Sequence, residues 1–101
     1  MAVQKITTEN FDEFIKNNET ALVDFFATWC GPCKIMSPTI DEIAEENPNV
    51  AVAKCDTDQA MEIAQRYGIM SIPTIMIFRG GEEAKRFVGV TPKQDIVDEL
   101  N

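Results

Sequence analysis

At 101 residues, 45% of them hydrophobic and 26% charged, the chain is long enough for one compact core and too short for two, so a single domain over 1–101 is expected. Nine Lys and Arg against seventeen Asp and Glu give a net charge of −8, a sign that opposes nucleic acid and anionic membrane surfaces as partners. The absence of histidine excludes Ser-His and Cys-His nucleophile pairs, His-ligated zinc and c-type haem attachment, which leaves three cysteines as the reactive inventory.

Met1 to Lys5 and the residues that follow lack a basic stretch leading into an apolar run, and no window approaches the roughly 20 apolar residues that span a bilayer. A soluble, cytoplasmic protein is therefore expected. Cytoplasmic thiols are kept reduced, so an odd cysteine count points to metal binding, catalysis or a buried thiol rather than to a structural disulfide framework.

In chain order, Val3 to Ile6 reads as a short strand, after which Thr7 or Thr8 caps a helix that places Phe11, Phe14 and Ile15 on one face and ends at Asn17-Asn18. Ala21 to Ala27 is a near-continuous apolar run, the pattern of a strand covered on both faces, and it carries one ionisable residue, Asp24. From Pro32 the spacing turns helical, with Met36, Ile40, Ile43 and Ala44 inward, a kink expected at Pro38, and a stop near Asn47-Pro48. Val50 to Cys55 is the next strand. Asp58 then caps a helix through Ala60, Ile63, Ala64 and Tyr67, closed by a left-handed Gly68. Thr74 to Phe78 and Ala84 to Val88 form an antiparallel hairpin around Gly80-Gly81, whose glycines supply positive φ angles. Last, Thr91-Pro92-Lys93-Gln94 combines an N-cap, a proline at the first helical position and a capping-box Gln, opening a helix with Ile96, Val97 and Leu100 inward. The order β-α-β-α-β-α-β-β-α predicts an α/β fold with a mixed sheet flanked by helices.

The chemistry concentrates in Trp29-Cys30-Gly31-Pro32-Cys33, between the buried strand and the proline-containing helix. This places Cys30 at a helix N-terminus, where unpaired N–H groups and the positive end of the helix dipole stabilise a thiolate, the attacking species in disulfide exchange. Two intervening residues let Cys33 reach Cys30 through a small ring that opens and closes without unfolding anything. A structural zinc site needs four ligands and finds at most three, position 34 is Lys where a haem motif needs His, and a four-cysteine iron–sulfur cluster fails on number within one chain. Asp24 shares a strand face with Leu22 and Phe26, so burial raises its pKa and puts it in range to accept a proton near neutral pH. Lys54 alternates with Val50 and Val52; its stem packs inward and its ammonium tunes Asp24, the alternative being a fully solvated lysine. Cys55 alternates with Ala51 and Ala53 and reads as a buried, inert thiol, with a regulatory role as the alternative.

Asp24 to Lys34, read as Asp-Phe-Phe-Ala-Thr-Trp-Cys-Gly-Pro-Cys-Lys, resembles the active-site stretch of the thioredoxin family. The resemblance covers essentially the whole chain: Asp24 is similar to the family's buried aspartate, Pro38 to its helix-kinking proline, Lys54 to its internal lysine and Ser71-Ile72-Pro73-Thr74 to the segment around its cis-proline. Gly80-Gly81 matches its hairpin and Val88-Gly89 its late glycine loop. The resemblance implies a thioredoxin fold, a central mixed five-stranded sheet flanked by four helices. It also implies a cis bond before Pro73 that exposes the Ile72 backbone to an extended substrate, with Trp29, Val88 and Gly89 completing an apolar docking patch. Phe26 stands where many members have Trp, Thr28 fills a variable position, and Cys55 is a further departure; none touches the catalytic apparatus.

The reading that results is a protein thiol–disulfide oxidoreductase acting as a general disulfide reductant. Cys30 is its nucleophile, Cys33 its resolving thiol, Asp24 the proton acceptor and Lys54 the residue that tunes it, with Gly31-Pro32 shaping the turn. No bound cofactor and no metal is expected beyond the redox-active Cys30–Cys33 disulfide. The expected partners are disulfide-containing proteins and a thioredoxin reductase, implied by the resemblance to be flavin-containing and NADPH-driven, acting on a monomer. The rival reading is a binding module whose docking patch matters and whose thiols do not.

Overall fold

In the computed structural model, which describes residues 3–101, the elements run β1 (Gln4–Ile6), α1 (Phe11–Lys16), β2 (Thr20–Phe26), α2 (Gly31–Glu46), β3 (Ala51–Asp56), α3 (Met61–Arg66), β4 (Thr74–Arg79), β5 (Glu82–Val88) and α4 (Lys93–Leu100). Met1 and Ala2, the start of the segment expected to lack a leader, lie outside the described residues. No helix is long and apolar enough to cross a membrane among the described residues. The strands form one five-stranded sheet in the order β1-β3-β2-β4-β5. β1 and β2 pair parallel to β3, while β4 runs antiparallel to both β2 and β5, so the expected mixed sheet forms.

Strand alternation sorts the side chains into two cores. Ala21, Val23 and Phe25 of β2 join Phe11, Phe14, Ile63 and Phe78 on the face covered by α1 and α3. Leu22 of the same strand joins Met36, Ile40, Ile43, Ile75 and Ile96 on the face covered by α2 and α4. Each fully buried side chain of this size contributes about 1.5–3 kcal/mol relative to exposure, which holds β2 in one register against both neighbours. That register is what forces Asp24 to face α2 among the apolar side chains of the second core. Gly68, Gly80 and Gly81 have φ of +63°, +62° and +84°, as the helix end and hairpin require.

The helix starts differ from expectation. Thr7 and Thr8 do not cap α1, whose N-cap is Asn10 with no side-chain cap bond; Asn10 Oδ1 accepts from the Thr7 amide instead. Asp58 does not cap α3, which begins after Ala60. Thr91 does not cap α4; its hydroxyl donates to the Gly89 carbonyl, and Gln94 donates to Asp98 rather than closing a capping box. Thr7 and Thr91 spend their hydroxyls on bonds within their own loops, to Glu9 and to the Gly89 carbonyl, while Asp58 accepts from the distant Trp29 indole. Pro38 lies inside α2 as expected.

Candidate active site

The site assembles where β2 ends and α2 begins. Cys30 is the N-cap of the 16-residue α2, in extended conformation, and its Sγ accepts a hydrogen bond from the Cys33 amide at 3.2 Å. No acidic side chain occupies the first turn of α2, so no carboxylate of the helix itself opposes the action of its N–H groups and dipole on Cys30. Cys30 and Cys33 are joined by a disulfide with a Cα separation of 5.3 Å, and both cysteines are buried. Gly31 and Pro32 between them are exposed.

Beneath the disulfide, Asp24, Thr28, Cys33, Ser37 and Lys54 line a cavity of about 230 Å³. Asp24 is 1% exposed, and its Oδ1 has no hydrogen-bond partner among the described residues, so it is not a satisfied core aspartate. Burial raises its pKa from 3.8 to about 7; the Lys54 ammonium opposes that rise and the Asp41 carboxylate adds to it. Lys54 is the register partner of Asp24 on β3. Its ammonium is not ion-paired with Asp24 among the described residues; it donates to Ser37 Oγ at 2.5 Å and to Asp41 Oδ1 at 3.0 Å.

Above the disulfide, Ile72-Pro73 is cis and the Ile72 carbonyl oxygen lies 3.8 Å from Cys30 Sγ. Pro73 is buried and its carbonyl accepts from the Gly89 amide at 2.8 Å, which draws the loop after β5 against it. The same loop is tied to α2, because the Thr91 amide donates to Met36 Sδ. Trp29 is 70% exposed, and its indole Nε1 donates to Asp58 Oδ2 at 2.8 Å. Trp29, Val88 and Val90 are exposed apolar side chains on the segments that meet here, and Met70 is also exposed.

The residues assigned to catalysis and docking from the sequence all fall at this one end of the sheet. Three others escape that reading. Asp58 reads as a helix cap, and its bond to Trp29 across 29 residues has no local signature. Ser37 and Asp41 follow Cys33 at successive intervals of four on α2, a spacing that puts all three on one stripe and is legible in the sequence. Cys55 is buried, and that burial, with Asp56 nearby, pushes its thiol up to about 12, the state of an inert packing residue. No group of three or more His, Cys, Asp or Glu could hold a metal ion among the described residues.

A dithiol at a helix N-terminus, with a buried acid of near-neutral pKa on one side and an exposed apolar surface on the other, is equipped for disulfide exchange with another polypeptide. Comparison with known proteins agrees. The family model described as Thioredoxin matches residues 2–101. The chain is 48% identical over 103 residues to a thioredoxin of Pyropia yezoensis, covering 100% of this chain and 96% of that protein. It is 44% identical over 92 residues to the bifunctional thioredoxin reductase/thioredoxin of Mycobacterium leprae, covering 90% of this chain and 20% of that protein. Among solved structures, a single-site mutant of the thioredoxin from Halobacterium salinarum superposes with a TM-score of 0.90 at 30% identity, covering 99% of this chain and 92% of that one.

Proposed function

This chain belongs to the thioredoxin family and is a thiol–disulfide oxidoreductase, and from that premise we propose that it works as a general reductant of protein disulfides. The observation that carries the reading is Cys30 at the N-cap of α2, bonded to Cys33 and next to the Ile72 carbonyl.

In the reduced protein the Cys30 thiolate attacks one sulfur of a target disulfide. A mixed disulfide forms and the target's other sulfur leaves as a thiolate that takes a proton from solvent. Asp24, as carboxylate, takes the proton of Cys33 across the shared cavity. The Cys33 thiolate then attacks Cys30 Sγ, which closes the Cys30–Cys33 disulfide and releases the target's second sulfur. Two electrons have passed to the target. Lys54 tunes Asp24. On the docking side, the backbone of Ile72 at the Pro73 bond pairs with an extended target segment, while Trp29, Val88 and Gly89 pack against it. Asp58 holds the Trp29 ring in place for that contact. Gly31 and Pro32 keep the turn short and free of a titrating side chain.

Recharging requires a thioredoxin reductase, in this reading a flavin protein driven by NADPH. That a relative carries reductase and thioredoxin in one polypeptide supports the pairing. The reading extends to a single-domain monomer in the cytoplasm, where such a donor keeps thiols reduced.

The direction of electron flow is tested by equilibrating the protein with glutathione redox buffers. An imidazole between the cysteines would stabilise the reduced form and make the pair oxidising; Gly31-Pro32 offers none. The Cys30–Cys33 disulfide is therefore expected to persist in a buffer of mostly reduced glutathione, at a potential well below the roughly −120 mV of strongly oxidising family members. Full reduction by a mostly oxidised buffer would make the protein an oxidant instead.

A further inference from the structure

The charges around Asp24 are arranged so that the nearest cation is engaged elsewhere. Lys54 lies beside Asp24 in strand register, and both side chains open into the cavity under the disulfide. An ammonium so placed next to a buried carboxyl would ordinarily close on it, because an ion pair offsets part of the cost of burying either charge. Lys54 Nζ instead donates to Ser37 Oγ and Asp41 Oδ1, both on α2, while Asp24 Oδ1 stays buried and without a hydrogen-bond partner among the described residues.

The groups that face Asp24 from the packed elements are few. β3 contributes Lys54; α2 contributes Cys33, Lys34 and Ser37 to the cavity wall, with Asp41 one turn beyond. β4 contributes the uncharged Ile75 as register partner. Lys5 and Asp56 line an adjoining cavity with Lys54. Of these, Ser37 and Asp41 are the two that bind the ammonium.

We propose that Ser37 and Asp41 are positioning residues, which hold the Lys54 ammonium on the α2 side of the cavity and so leave the Asp24 carboxyl free to exchange a proton with Cys33. Without them the ammonium closes on Asp24, favours its ionised form and leaves a base too weak to deprotonate a thiol at neutral pH. The inference rests on the reading of Asp24 as proton acceptor, which is tested separately by turnover of an Asp24 variant.

The test reads the Asp24 carboxyl itself, by carbon-13 NMR titration of the full chain in its disulfide form, where Cys33 carries no proton. Ser37→Ala is expected to move the Asp24 midpoint down by about one pH unit. Lys54→Met is expected to move it up, and Ser37→Ala added to Lys54→Met is expected to move it no further, because the serine acts only through the ammonium. Asp41→Asn provides a second measurement. Its downward shift must be smaller in the Lys54→Met background than in the wild type, since only the direct charge effect remains there. A wild-type midpoint in Ser37→Ala, or an equal shift with Lys54 absent, would overturn the proposal.

Discussion

Asp24→Asn is expected to gain stability over the wild type as pH rises from about 4 to 7, reaching about 4 kcal/mol at pH 8 and little at pH 3. The folded protein holds the Asp24 proton up to about pH 7, whereas an unfolded chain releases it near 3.8. Between those values the native state binds more protons than the unfolded state, so raising the pH favours unfolding. At 1.36 kcal/mol per pH unit the interval amounts to about 4 kcal/mol, fully present above pH 7. The side chain is almost wholly buried, so solvent screening does not reduce the figure appreciably. For a domain whose total stability is of order 5–15 kcal/mol, this is a large cost to carry. Urea unfolding of both proteins across pH 3 to 8 measures it, and parallel stability curves would refute a raised Asp24 pKa. The same variant is expected to slow release of the mixed disulfide by about tenfold at pH 7. That is below the usual 10²–10⁴ for a general base, because solvent water still accepts the Cys33 proton when the carboxylate is absent. Stability and turnover thus move in opposite directions, as expected of a functional group kept at the expense of the fold.

Cys30→Ser is expected to abolish turnover, with the rate of protein-disulfide reduction falling by about 10³-fold or more, to that of the dithiol donor alone. A serine hydroxyl is scarcely ionised at neutral pH, and no oxygen–sulfur bond replaces the mixed disulfide. The fold should survive the change, since the N-cap role passes to a better capping residue than cysteine. Retention of the biological activity by Cys30→Ser would favour the alternative of a binding module.

Much of this was legible in the sequence for identifiable reasons. The two-residue alternation from Ala21 to Phe26 leaves one face for Leu22 and Asp24, and strand registry admits no half measure: Asp24 had to be buried once β2 was central. Gly68, Gly80 and Gly81 were readable because positive φ selects glycine at those turns. The cap residues were not. Thr7, Asp58 and Thr91 each carry the right side chain for a helix start, and each is drawn into a loop bond, that of Asp58 reaching Trp29 from a distant part of the chain. Pattern reading also placed Lys54 beside Asp24 without revealing whom its ammonium binds. The direction of a long, flexible side chain depends on acceptors contributed by another element, here Ser37 and Asp41 of α2.

The central claim is that electrons pass through a covalent intermediate on Cys30 which Cys33 resolves. It is tested most directly by mixing reduced Cys33→Ser with a protein carrying one accessible disulfide and analysing the products by non-reducing mass spectrometry. A one-to-one adduct linked through Cys30, stable until a dithiol is added, is the predicted result. An adduct through Cys55, no adduct at all, or wild-type turnover by Cys33→Ser would contradict it.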